Sequence, residues 1–187
     1  MPRKDIKERK QEQNQRKQAV VTGWAKENKM CADGYSWWKG TIDAPDIDAS
    51  IKKLKDEKKY EWCMWIVIKI MSDDDQIDFA IYAFEQMINK AAPLDKDLKA
   101  ALDFARAGLF DSTLKDSPEY AALQGRLKPK QISKLYDSAV LLVDCVFKHD
   151  ETACLRIMHN AFHALKEETE QEDLMNHCLA IFKEDDE

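Results

Sequence analysis

His159 and His163 stand four residues apart in His-Asn-Ala-Phe-His, a spacing that places both imidazoles on one face of a helix, where two neutral ring nitrogens can share a divalent ion. Cys154 lies one or two turns earlier, and His177 with Cys178 follows on the next predicted helix. The residue types suit zinc, but no spacing fixes a third ligand, and the segment lacks the glutamate that His-Glu-x-x-His uses as a base. The same two histidines also read as the polar edge of a core stripe built from Leu155, Met158 and Phe162. They are the candidate metal ligands; the expectation is no cofactor and no catalytic residue.

Other chemistry has less to build on. The five glycines stand alone, and neither GxxxxGK(S/T), GxGxxG nor GxSxG occurs, which removes the signatures of nucleotide and serine-hydrolase chemistry. The carboxylates of Asp73, Asp74 and Asp75 are explained by a helix N-terminus, with Gln76 placed for a capping box. Residues 1–30 carry nine Lys and Arg against four acids, an excess of five positive charges, which leaves −11 on the rest of a chain whose net charge is −6. Arg3, Lys4, Lys7, Arg9, Lys10, Arg16 and Lys17 are the candidates for phosphate contact. Glu and Gln interrupt them and no aromatic residue lies among them, which weakens base recognition.

Tyr35, Trp37 and Trp38, between Gly34 and Gly40, supply large stiff side chains of the kind that anchor protein partners, and Asp43, Asp46 and Asp48 follow closely. Together they form a candidate aromatic and anionic surface for a basic protein. The alternative is that the tryptophans fold back into the core.

The elements that hold these residues read as helices throughout. Gly and Pro number five each among 187 residues, and Ala, Leu, Lys, Glu, Asp and Gln are abundant. From Asp5 to Lys17 the only apolar residue is Ile6, so residues 1–18 read as a basic polar arm, mobile or partly helical, with Val20, Val21 and Trp24 able to dock its end. Tyr35–Lys39 reads as a loop, and a short helix carries Ile47, Ile51 and Leu54. Trp62–Met71 is assigned to helix because a strand there would have no partner. Ile77, Ile81, Phe84 and Ile88 mark the clearest helix. Asp95 caps the next, and the two read as an antiparallel hairpin. Ser117-Pro118 opens a short helix, Pro129 a long one containing Ile132, Asp150 another, and a last one holds Leu174, Cys178 and Phe182. The expected fold is all-α: a single compact bundle of seven or eight helices over residues 19–183, ending in an acidic tail at 184–187.

Four segments resemble a known family. Cys31-Ala-Asp-Gly34 with Trp37-Trp38, then Trp62-Cys-Met-Trp65-Ile-Val-Ile-Lys-Ile70, Phe79-Ala-Ile-Tyr-Ala-Phe-Glu-Gln86 and Lys99-Ala-Ala-Leu-Asp-Phe-Ala-Arg106 occur in the order seen in immunity proteins of bacterial polymorphic-toxin and prophage loci. The resemblance spans about residues 30–108. From Pro129 to Lys183 the helices are bulkier than that family's Ala- and Tyr-rich runs. It implies a helical inhibitor or neutraliser and carries over no catalytic residue.

The five cysteines are widely spaced and form no Cys-x-x-Cys pair, the pattern of reduced thiols, and no run approaches the ~20 apolar residues of a membrane span. The expected setting is cytoplasmic, without membrane contact. The leading functional expectation is a non-enzymatic inhibitor of a protein with a basic surface, either a toxin or a defence effector, acting through an acidic exterior that could mimic nucleic acid. An accessory protein that binds nucleic acid through the basic arm is the second, and a metal-dependent enzyme the third.

Overall fold

Few residues in this chain favour turns, and a computed structural model, which describes residues 4–20, 32–41 and 47–184, contains ten α-helices and no strand among them. They are α1 (Ile6–Val20), α2 (Ala32–Thr41), α3 (Ile47–Asp56), α4 (Tyr60–Ile70), α5 (Asp73–Ala91), α6 (Lys96–Gly108), α7 (Pro118–Leu127), α8 (Lys134–Lys148), α9 (Glu151–Ala164) and α10 (Glu168–Glu184). Single 3-10 turns cover Ser112–Asp116 and Lys128–Lys130. The all-α class is as expected. The helix count exceeds seven or eight because α1 and α2 occupy segments read as an arm and a loop. Val21, Trp24 and the tail at 185–187 lie outside the described residues, as do the side chains of Val20 and Glu184.

Local sequence explains the starts of α5, α6, α7 and α9. Ser72, Asp95, Ser117 and Asp150 each accept a hydrogen bond from a backbone N–H in the first turn that follows, satisfying donors with no partner inside the helix. At α5 the N3 partner of Ser72 is Asp75. Gln76, expected there, instead donates from its side chain to the carbonyls of Ile68 and Met71 at the end of α4. The segment after Pro129 also differs: the proline lies in a 3-10 turn, α8 starts only at Lys134, and Ile132 is fully exposed instead of joining the core. That turn carries Lys130 to Asp97 and sets Tyr136 to donate to Asp95, so the start of α8 is tied to the start of α6.

α5 is the central element. Phe79, Ala80, Ala83 and Phe84 are completely buried, and the helix packs against α6, α8, α9 and α10. Its closest association is with α9 and that of α6 is with α8, so the α5–α6 hairpin is a secondary contact, joined by the Arg106–Glu85 ion pair. α4 packs on α3, α9 and α10 and is as apolar inward as its composition demands, with Cys63, Met64, Val67, Ile68 and Ile70 buried. α6 and α8 approach closely at Gly108, where a Cβ would lie 2.8 Å from Val146 Cγ1 and 3.1 Å from the Phe147 ring.

The basic arm is helical and docked. α1 has no apolar face, and charge holds it instead. Arg9 Nη1 donates to Asp75 Oδ1 at 2.6 Å and Gln13 Nε2 to Asp75 Oδ2 at 3.1 Å, with Asp75 only 1% exposed. Arg16 donates to the Met71 carbonyl and to Asp73, both at 2.6 Å, and the Lys4 backbone N–H donates to Asp74 at 2.7 Å. The aspartates that complement the α5 dipole therefore also hold α1. Apolar residues were not needed for docking because the partner surface is a buried anionic helix end.

Candidate functional site

The acids of α10 begin the site. Glu167, Glu168, Glu170, Glu172 and Asp173 place five carboxylates within seven residues, where the helix N-terminus stabilises negative charge. Packing α10 against α5 sets Glu170 and Asp173 opposite Tyr82, Gln86, Asn89 and Lys90, with Leu165 and Leu174 as the apolar floor. The result is a cleft of about 320 Å3. That is the small end of the ~300–1,000 Å3 usual for ligand pockets and gives room for one or two partner side chains.

Tyr82 lines one wall, and His177 of α10 stacks on its ring with centroids 3.5 Å apart and planes at 18°. Burial raises the Tyr82 phenol pKa, and the charges of Asp173 and Glu85 raise it further, which marks a negative potential along this wall. Lys90 donates to Glu170 at 2.6 Å across one edge; that bond lowers the carboxyl pKa and raises the ammonium pKa. Lys58 pairs with Glu168 further along. Asp173 and Glu167 are exposed. Chemically, the cleft can take a cationic side chain: carboxylates to bond it, side-chain amides to orient it, and the Tyr82 ring as an aromatic wall for a guanidinium or an apolar stem.

The residues singled out from sequence are distributed differently. Trp37 is half-buried and packs edge-on against Trp62 at 6.3 Å, with its indole N–H donating to Glu57 at 2.7 Å, so this tryptophan folds back onto the body. That support keeps Gly34 and Gly40 within a helix despite a propensity cost of about 1 kcal/mol each. Asp48 is exposed at the start of α3, 11 residues along the chain from Trp37. The side chains of Tyr35 and Trp38, and residues Asp43 and Asp46, lie outside the described residues.

Of the basic candidates, Lys4, Arg9 and Arg16 are engaged with Asp73, Asp75 and Glu12. Lys17 lies over the Phe182 ring at 4.7 Å. Lys7 is exposed, Lys10 half-buried, and Arg3 lies outside the described residues.

His159 and His163 do lie together, but neither Cys154 nor His177 joins them. Cys154 is buried with its Sγ 3.1 Å from Cys145 Sγ, His177 is stacked on Tyr82, and Cys178 is fully buried. Glu61 of α4 completes the group instead. Sequence gave no signal for Glu61, 98 residues away from His159. The acid run of residues 167–173 was not singled out from sequence either, and its opposition to Tyr82 comes only from packing. Comparison of the chain with protein-family models, with curated proteins and with solved structures finds no match.

Proposed function

We propose that this chain is a non-enzymatic binding protein that neutralises a basic macromolecular partner by accepting a cationic side chain into the anionic cleft between α5 and α10. The observation that carries the reading is the clustering of Glu167, Glu168, Glu170, Glu172 and Asp173 beside a cleft lined by Tyr82, Glu170 and Asp173. The excess of carboxylates over cations along this edge steers a basic partner at encounter, and the cleft then holds one side chain by charge-assisted hydrogen bonds. Basic grooves are characteristic of proteins that handle nucleic acid, so a toxin or a defence effector acting on nucleic acid has the complementary surface. The resemblance of residues 30–108 to immunity proteins favours the same class of partner, with a phage-borne inhibitor of a defence complex as the variant setting.

Docking of α1 weighs against the nucleic-acid reading, because Lys4, Arg9 and Arg16 are already neutralised by carboxylates of the same chain.

The test is capture of partners from a producing host with full-length wild-type protein and with the exposed-site variant E167K/D173K, at low and high salt. The expected result is a basic protein retained by wild type, weakened by salt, and lost with the variant while its circular dichroism is unchanged. A partner retained equally by both proteins, or recovery of nucleic acid alone, would overturn the reading.

A further inference from the structure

Glu61, His159 and His163 lie outside the cleft, where α4 runs beside α9. α9 supplies two imidazoles one turn apart and α4 supplies a carboxylate from its first turn. His159 Nδ1 is 2.6 Å and His163 Nε2 3.6 Å from the same oxygen, Glu61 Oε1, and the two rings stand 4.4 Å apart at 67°. All three ligand atoms fall within 4.8 Å of one another.

Ligand atoms held about 2.1 Å from a tetrahedral zinc ion are separated from each other by about 3.4 Å, a value set by the Zn–N and Zn–O distances. The observed 2.6 and 3.6 Å lie on either side of it, and the remaining separation is no more than 4.8 Å, so the three atoms stand close to coordination geometry. Both rings are about half exposed, at 50% and 47%, so an ion reaches them from solvent without any opening of the core.

We infer that Glu61, His159 and His163 form a binding site for a divalent transition ion, Zn2+ in the first instance, with its remaining coordination position open to water or to a ligand from outside. Two nitrogens and one carboxylate oxygen suit zinc and its neighbours in the first row and are poor for calcium or magnesium, which prefer all-oxygen shells. Bound metal would clamp α4 to α9 at a place now joined by the His159–Glu61 hydrogen bond. This inference is independent of the anionic cleft.

The experiment is calorimetric titration of Zn2+ into full-length protein without a histidine tag, paired with Co2+ titration followed by visible d–d absorption. One equivalent is expected, with Co2+ bands of low-coordinate intensity. Because loss of even an outer-shell partner costs about 10–100-fold in affinity, E61Q and H163A should each weaken binding by at least roughly tenfold, and H159A/H163A should abolish it. Circular dichroism of these exposed-site variants checks that folding is intact. Absence of Zn2+ heat with wild type, or binding that survives in H159A/H163A, would overturn the assignment; the second result would transfer the ion to other side chains. Co2+ bands that vanish in C145S but persist in H159A/H163A would do the same and point to the thiols.

Discussion

Replacing Arg9 with alanine removes the cation facing Asp75, a carboxylate that is 1% exposed and sits in the first turn of the central helix α5. Breaking a buried pair by deleting one member costs about 3–5 kcal/mol, because the remaining charge is left without water or counter-charge. Arg9 retains 17% side-chain exposure, and Asp75 keeps the Ser72 hydroxyl and the Gln13 amide, which places the cost near the lower bound, about 3 kcal/mol. The chain has a cheaper response than unfolding: if α1 detaches, Asp75 is rehydrated and the core of α5, α8 and α9 stays packed. At about 1.4 kcal/mol per factor of ten, the R9A variant should exchange its α1 amides roughly 100-fold faster, while exchange of α5 and α9 and the thermal midpoint change little. Hydrogen exchange read by mass spectrometry over residues 6–20, with peptides of α5 and α9 as internal references, measures this directly. In R9M/D75N, where no charge is left buried, part of the protection should return. Unchanged protection of α1 in R9A would refute the reasoning, as would global destabilisation with α1 no faster than the core.

Three further outcomes follow from the same packing. G108A should lower stability by about 1–3 kcal/mol in urea unfolding, as overpacking does, because the new Cβ meets Val146 at 2.8 Å; adding V146A should recover part of the loss, and an unaffected single variant would contradict the close approach of α6 and α8. Asp73 is pushed up by burial but drawn further down by Arg16 and Lys4, so its folded value lies below the usual ~3.9; its contribution is present above that range and lost as pH falls through the depressed value, and α1 should become protease-sensitive in acid before the core unfolds. Burial and the hydrogen bond to Asp144 push Tyr120 up to about 12, so its stabilising contribution is complete below ~10 and disappears as pH rises through about 12; ultraviolet titration should show a late phenolate step that Y120F lacks.

The linear chain determined the helical class and the starts of α5, α6, α7 and α9, since Ser72, Asp95, Ser117 and Asp150 act on backbone groups within three residues of themselves, and apolar spacing alone marks the buried faces of α5 and α6. It misassigned elements whose stability comes from elsewhere. α2 reads as a glycine-flanked loop until Trp37 finds Trp62, and α1 reads as a loose arm because a helix without an apolar face has no local reason to dock. Pro129 looked like a helix start, and a tie between Lys130 and Asp97, 33 residues apart, made it a turn. The candidate sites follow the same division. The histidine pair on α9 and the acid run on α10 are written in sequence, whereas Glu61 beside His159 and Tyr82 beside Asp173 exist only because α4, α5, α9 and α10 pack in one particular arrangement. Helix periodicity states which face a residue occupies, and the crossing of two helices, set by the packing of every side chain between them, decides what that face meets.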